Sequence, residues 1–114
     1  MRALEEAGAI RGYHADVDPA ALGRNVAAMI WVRLQPKTPP TVEAFLEAVW
    51  QLDATVAVNL VTGQFDAVVQ LNVADVAALS ETVMTGIASA PGVVDEHTSI
   101  IFESRRKPVI GPLS

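Results

Sequence analysis

Hydrophobic and polar positions alternate sharply between residues 26 and 34. Val26, Ala28, Ile30, Val32 and Leu34 fall on one side, and Ala27, Met29, Trp31 and Arg33 on the other. That period of two is the signature of a strand. Pro36, Pro39 and Pro40 then punctuate a loop, and Thr38 with Pro39, or Thr41, is suited to open a helix. Val42, Phe45, Leu46, Val49 and Trp50 follow at helical spacing and make one apolar stripe. Two further strands are predicted, Thr55–Thr62 with Val56, Val58 and Leu60 on one face, and Ala67–Val73 with Val69, Leu71 and Val73 on one face. The turn chemistry of Gly63-Gln64-Phe65-Asp66 between them makes a hairpin. Asp75 caps a second helix with Val76, Leu79, Val83 and Ile87 on its stripe; Pro91-Gly92 ends it, and Val93–Phe102 is the last strand. Upstream, Met1–Ala7 reads as the short tail of a helix stopped by Gly8, Ile10–Val17 as an extended segment, and Asp18–Gly23 as a capped helical turn.

The core order is β-α-β-β-α-β, an α+β ferredoxin-like fold with two helices on one face of a four-stranded antiparallel sheet. Alternation places Met29, Trp31, Arg33, Ala57, Asn59, Val61, Val68, Gln70, Asn72, His97, Ser99 and Ile101 on the opposite face. That mixture is too apolar for bare solvent and too polar for a monomer core. The expectation is a homodimer through this face, with Met29, Trp31, Asn59, Val61, Gln70, Asn72 and His97 at the interface. The chain divides into an N-terminal part (residues 1–24), the α+β domain (25–104) and a loose, basic tail (105–114).

Composition narrows the function. At 51% hydrophobic and 18% charged, the chain is apolar for its 114 residues, which again favours assembly. A formal net charge of −5 lacks the basic footprint of a nucleic-acid binder. There is no cysteine, hence no disulfide and no thiolate metal site. No apolar run approaches the roughly 18 residues of a membrane span, and the start lacks the apolar stretch of a signal peptide. Cytoplasmic location is the expectation. His14 and His97 have no ligand spacing around them, and Tyr13, His14 and Asp16 alternate across one extended segment. No metal or cofactor is expected. Glu5-Glu6 and Glu43/Glu47 read as solvated helix faces, and Ser80, Ser89, Ser99 and Ser104 lie in no nucleophile motif. No catalytic residue is assigned.

Several stretches, in order, resemble one family. Leu4-Glu5-Glu6-Ala7-Gly8-Ala9-Ile10-Arg11-Gly12-Tyr13 and Asp18-Pro19-Ala20-Ala21-Leu22-Gly23 resemble the exit from the recognition helix and the linker strand of Lrp/AsnC transcription regulators. Val61-Thr62-Gly63-Gln64-Phe65-Asp66 resembles the family's hairpin signature. Pro91-Gly92-Val93 and Thr98-Ser99-Ile100 resemble the entry and middle of its last strand. The resemblance implies a RAM domain that dimerises through sheet faces, builds tetramers or octamers, and holds a small effector, commonly an amino acid, between dimers near the hairpin. It also implies a helix-turn-helix domain ahead of Arg2, through which alone DNA would be bound.

Chemistry at the hairpin agrees with that implication. Gly63 lets backbone N–H groups approach a carboxylate, Asp66 accepts from an ammonium, Thr62 and Thr98 offer hydroxyls, and Phe65 offers an apolar wall beside Gln64. The plainer reading is a tight turn with Phe65 as an assembly contact. Two alternatives accompany the sensing and oligomerising domain. One is a stand-alone RAM module that co-assembles with full-length regulators. The other is a small dimeric enzyme of the monooxygenase type, which the almost wholly Val, Ile, Leu and Ala composition of the helix-facing strand positions disfavours.

Overall fold

The computed structural model describes residues 23–108 and 111–113; the expectations for Met1–Ala7, Ile10–Val17, His14 and the Asp18 turn lie outside them. The elements run β1 (Val26–Leu34), α1 (Pro39–Trp50), β2 (Thr55–Leu60), β3 (Ala67–Val73), α2 (Val76–Thr82), a π-helical continuation (Val83–Ile87) and β4 (Val93–Ile101). The sheet order is β2-β3-β1-β4, every pairing antiparallel. This is the predicted ferredoxin-like α+β fold.

The alternation of β1 decides which side chains are buried. Ala28, Ile30, Val32 and Leu34 are fully buried beneath the helices, with Val69 and Leu71 of β3, Phe45 and Val49 of α1, and Leu79, Val83 and Ile87 of the second helical run. Register fixes the opposite face in rows: Asn59, Val68, Trp31 and His97; then Ala57, Gln70, Met29 and Ser99; then Asn72, Ala27 and Ile101. Of the residues expected to share that face, all but Arg33 and Val61 fall in these rows, Val61 lying past the end of β2.

Of the two predicted helix caps, the one at α2 forms and the one at α1 does not. Asp75 accepts from the Ala78 N–H at 2.8 Å, the side-chain cap that a helix start lacks within itself. At α1, Pro39 and Pro40 occupy the first turn behind an extended Thr38, whose hydroxyl meets the Thr41 hydroxyl at 3.0 Å rather than capping the backbone. Gly92 closes the second helical run at φ +80, and its carbonyl accepts from the Gln35 N–H at 2.9 Å.

Three details depart from the sequence pattern. A register shift lies between Thr55 and Ala57, so Val56 leaves the apolar face and is exposed. Trp50, the last residue of the α1 stripe, is 63% exposed, because the sheet beneath it ends at the β2 edge. Val76 and Met84 also stand in solvent at 60% and 70%. The five-residue π turn re-phases the second helical run, keeping Val83 and Ile87 inward across it.

Candidate functional site

The β2–β3 connection is built on Asp66. Its N–H donates to Val32 O at 2.8 Å, and its carbonyl accepts from the Val61 N–H at 3.0 Å. Its Oδ2 accepts from the Leu34 N–H at 2.8 Å, and its Oδ1 lies 3.4 Å from Lys37 Nζ. Asp66 therefore ties the hairpin to the C-terminal end of β1. A carboxylate has about four acceptor sites, so Oδ1 keeps capacity for a further donor. At the tip, Gly63 has φ +114, and a Cβ there would meet nothing within 4 Å. The backbone at the tip thus faces open space in a conformation that side chains disfavour.

Anchoring by Asp66 brings Phe65 onto the sheet face. Its ring centroid lies 6.2 Å from that of Trp31 and 5.7 Å from that of His97, the latter edge-on, and the Arg33 guanidinium carbon lies 5.9 Å from its centre. Trp31, Gln64, Phe65, His97 and Ser99 line one open depression of about 420 Å³. Arg33 Nε is buried without a hydrogen-bond partner, and its terminal nitrogen is 3.8 Å from Asp95, too long for a strong bond.

Residues predicted for two separate roles therefore meet. Gln64 and Phe65, assigned to the effector, adjoin Trp31 and His97, assigned to the dimer face. Thr62, Gly63 and Asp66 stay together on the hairpin. Thr98 does not join them within one copy. It pairs with Ile30, points to the helix side of β4, and lines a groove with Val76, Leu79, Ser80, Val83, Met84 and Ile100. Its strand parity, opposite to that of His97, separates it from the hairpin. Met29 and Gln70 are half-buried on the sheet face, Asn59 and Val61 exposed at its β2 end, and Asn72 buried with Oδ1 unpartnered. Sequence reasoning placed Arg33 and Ser99 on this face without a role at the hairpin, and missed Lys37. Among the described residues, no group of three or more His, Asp or Glu side chains is placed to hold a metal ion.

The fold defines a small α+β domain of the ferredoxin-like class. The sequence model of the Lrp/AsnC ligand binding domain matches residues 27–109, and the chain belongs to that family. It is 31% identical over 106 residues to the HTH-type transcriptional regulator AldR of Mycolicibacterium smegmatis, covering 93% of this chain and 62% of that protein. It is 30% identical to the leucine-responsive regulatory protein of Haemophilus influenzae, covering 90% and 62%. The chain thus spans under two thirds of these relatives. Both relatives are named as regulators. Among solved structures, a transcriptional regulator of Neisseria meningitidis in complex with L-Met superposes with a TM-score of 0.79 at 26% identity, over 97% of this chain and 71% of that one. A protein of Thermus thermophilus superposes with a TM-score of 0.62 at 29% identity, over 72% of this chain and 99% of that one. Among the described residues, no helix is long and apolar enough to cross a membrane.

Proposed function

We propose that this chain is the sensing and assembly domain of a cytoplasmic Lrp/AsnC regulator, and that an amino-acid zwitterion at the β2–β3 hairpin biases how copies assemble. The observation that carries this reading is the hairpin tip, where open backbone at Gly63 lies three residues from a carboxylate held by the Leu34 N–H of β1. The α-carboxylate meets N–H groups near Gly63 and Gln64. The α-ammonium meets Asp66 Oδ1, displacing or sharing Lys37, which is 57% exposed and free to move. The L-Met complex of the Neisseria relative supports an amino acid as the ligand class.

Assembly begins in this reading with a homodimer through the sheet face. The half-buried Met29 and Trp31 on that face support it, since a second copy would remove their remaining apolar surface from water. A site completed between dimers then couples ligand binding to tetramer or octamer formation. DNA is contacted only through a helix-turn-helix domain of the full regulator. A folded domain of nearly this extent is known in the Thermus protein, which keeps open the second reading, a module that co-assembles with full-length relatives.

The test is a thermal-shift screen of the twenty amino acids on the wild type and on Asp66→Asn. Asparagine preserves an acceptor for the Leu34 N–H and removes the charge. Binding should weaken by about 1.5–3 kcal/mol, the range for a hydrogen bond to a charged group. An amino acid that stabilises both proteins equally moves the site elsewhere.

A further inference from the structure

The large apolar side chains that remain exposed are concentrated at the flanks of the molecule rather than on the sheet face. One group lies beside β4. Val76, Met84 and Ile100 line a groove of about 290 Å³ between the second helical run and β4. Phe102, the first residue after β4, is 98% exposed. β4 is also the end of the sheet: β1 pairs with one side, and no strand among the described residues pairs with the other. An edge strand offers a row of N–H and C=O groups to any extended chain of matching pattern.

The chain itself supplies such a segment. Residues 103–107 have no secondary structure, and Glu103, Ser104, Arg105, Arg106 and Lys107 are exposed. No glycine or proline interrupts Phe102–Lys107, and Pro108, which has no N–H to donate, ends it. The segment is basic where β4 is acidic, at Asp95 and Glu96. The family match, which ends at residue 109, includes it.

Register turns this complementarity into a geometry. Antiparallel strands around a two-fold axis normal to the sheet place a residue opposite its own copy, and directly opposed side chains share a face. With Ile101 on that axis, Phe102 falls opposite Ile100, Arg106 opposite Glu96, and Lys107 opposite Asp95. Glu96, Thr98 and Ile100 pair with Val32, Ile30 and Ala28, which puts them on the helix side. Phe102 and Arg106 of the second copy then lie on that side too, Phe102 over the groove.

We propose that the outer edge of β4 is an interface for a second copy of this chain, whose residues 102–107 pair antiparallel with β4, fill the groove with Phe102 and oppose Glu96 and Asp95 with Arg106 and Lys107. The contact is reciprocal and uses an edge, so it is independent of the sheet-face dimer. Two distinct two-fold contacts in one molecule suffice to build a tetramer.

A charge swap tests it. Arg106→Glu/Lys107→Glu and Asp95→Lys/Glu96→Lys each place like charges across the contact, whereas a one-to-one mixture restores opposite charges in both halves. In sedimentation velocity at micromolar concentrations, each variant alone should lose one association step of the wild type, and the mixture should regain it. The chain has no cysteine, so mixing Phe102→Cys with Ile100→Cys should also give a disulfide between copies, well above a Phe102→Cys with Glu43→Cys control. Unchanged assembly in either charge variant overturns the proposal, as expected if residues 10–17 of the same chain occupied this edge. Failure of the mixture to recover, a wild type that shows no association, or crosslinking no greater than the control overturns it equally.

Discussion

Asp66 and Gly92 show how much of this domain hangs on single residues outside the apolar core. The Asp66 carboxylate takes the Leu34 N–H at the end of β1 and so fastens that strand to the hairpin. Asp66→Ala should therefore destabilise the domain by about 1.5–3 kcal/mol even without ligand, the scale of a lost hydrogen bond to a charged group. Urea denaturation reads this directly, and an unchanged midpoint would mean that the hairpin is held by other contacts. Gly92 is more constrained. Its φ of +80 strains any side chain, and a Cβ would sit 2.4 Å from Thr41 Cγ2. Gly92→Ala should cost more than the roughly 1–2 kcal/mol of the left-handed conformation alone, because Thr41 must also yield. A loss below about 0.5 kcal/mol, the ordinary scatter of surface substitutions, would contradict that geometry.

Secondary-structure elements were legible in the sequence where one face is buried. The alternation of β1 maps onto burial from Ala28 to Leu34, and the Asp75 cap and the Pro91-Gly92 stop act as their chemistry suggests. Phe45 and Leu71, both fully buried, lie where the two apolar patterns face each other. Phe45→Ala should destabilise by about 3–5 kcal/mol from lost burial and the cavity left behind, measured by the same denaturation. The bulge at Val56 was not legible, since it depends on how β2 pairs with β3 and not on β2 itself. The π turn was likewise hidden, as Val76, Leu79, Val83 and Ile87 fit an ordinary helix equally well. At the candidate site, Thr62 to Asp66 lie together on the hairpin, as their adjacency in the chain dictates. Their meeting with Trp31 and His97 was not legible, because Asp66 sets that approach through a bond to Leu34, 32 residues earlier in the chain. Thr98 carries the reverse lesson. Its parity within β4 already separated it from His97, while its hydroxyl chemistry grouped it with the hairpin.

At the scale of the molecule, the uncommitted surfaces dominate. In the proposed account, the sheet face and the β4 edge each take a second copy and the hairpin corner takes the ligand. Trp31→Glu should disrupt the sheet-face dimer, since burying an unpaired charge costs several kcal/mol. Light scattering showing the same mass for this variant as for the wild type would place the interface elsewhere. A net charge of −5 opposes a phosphate backbone, so the chain alone should give no salt-tolerant, sequence-specific shift of duplex DNA in a mobility assay. The central claim is that amino-acid binding and assembly are one linked equilibrium. Sedimentation velocity across a concentration series, with and without the amino acid that gives the largest thermal shift, tests it most directly. Linkage requires the association constant to change with ligand, and Asp66→Asn to reduce that change. An amino acid that binds and leaves the association constant unaltered would contradict the account.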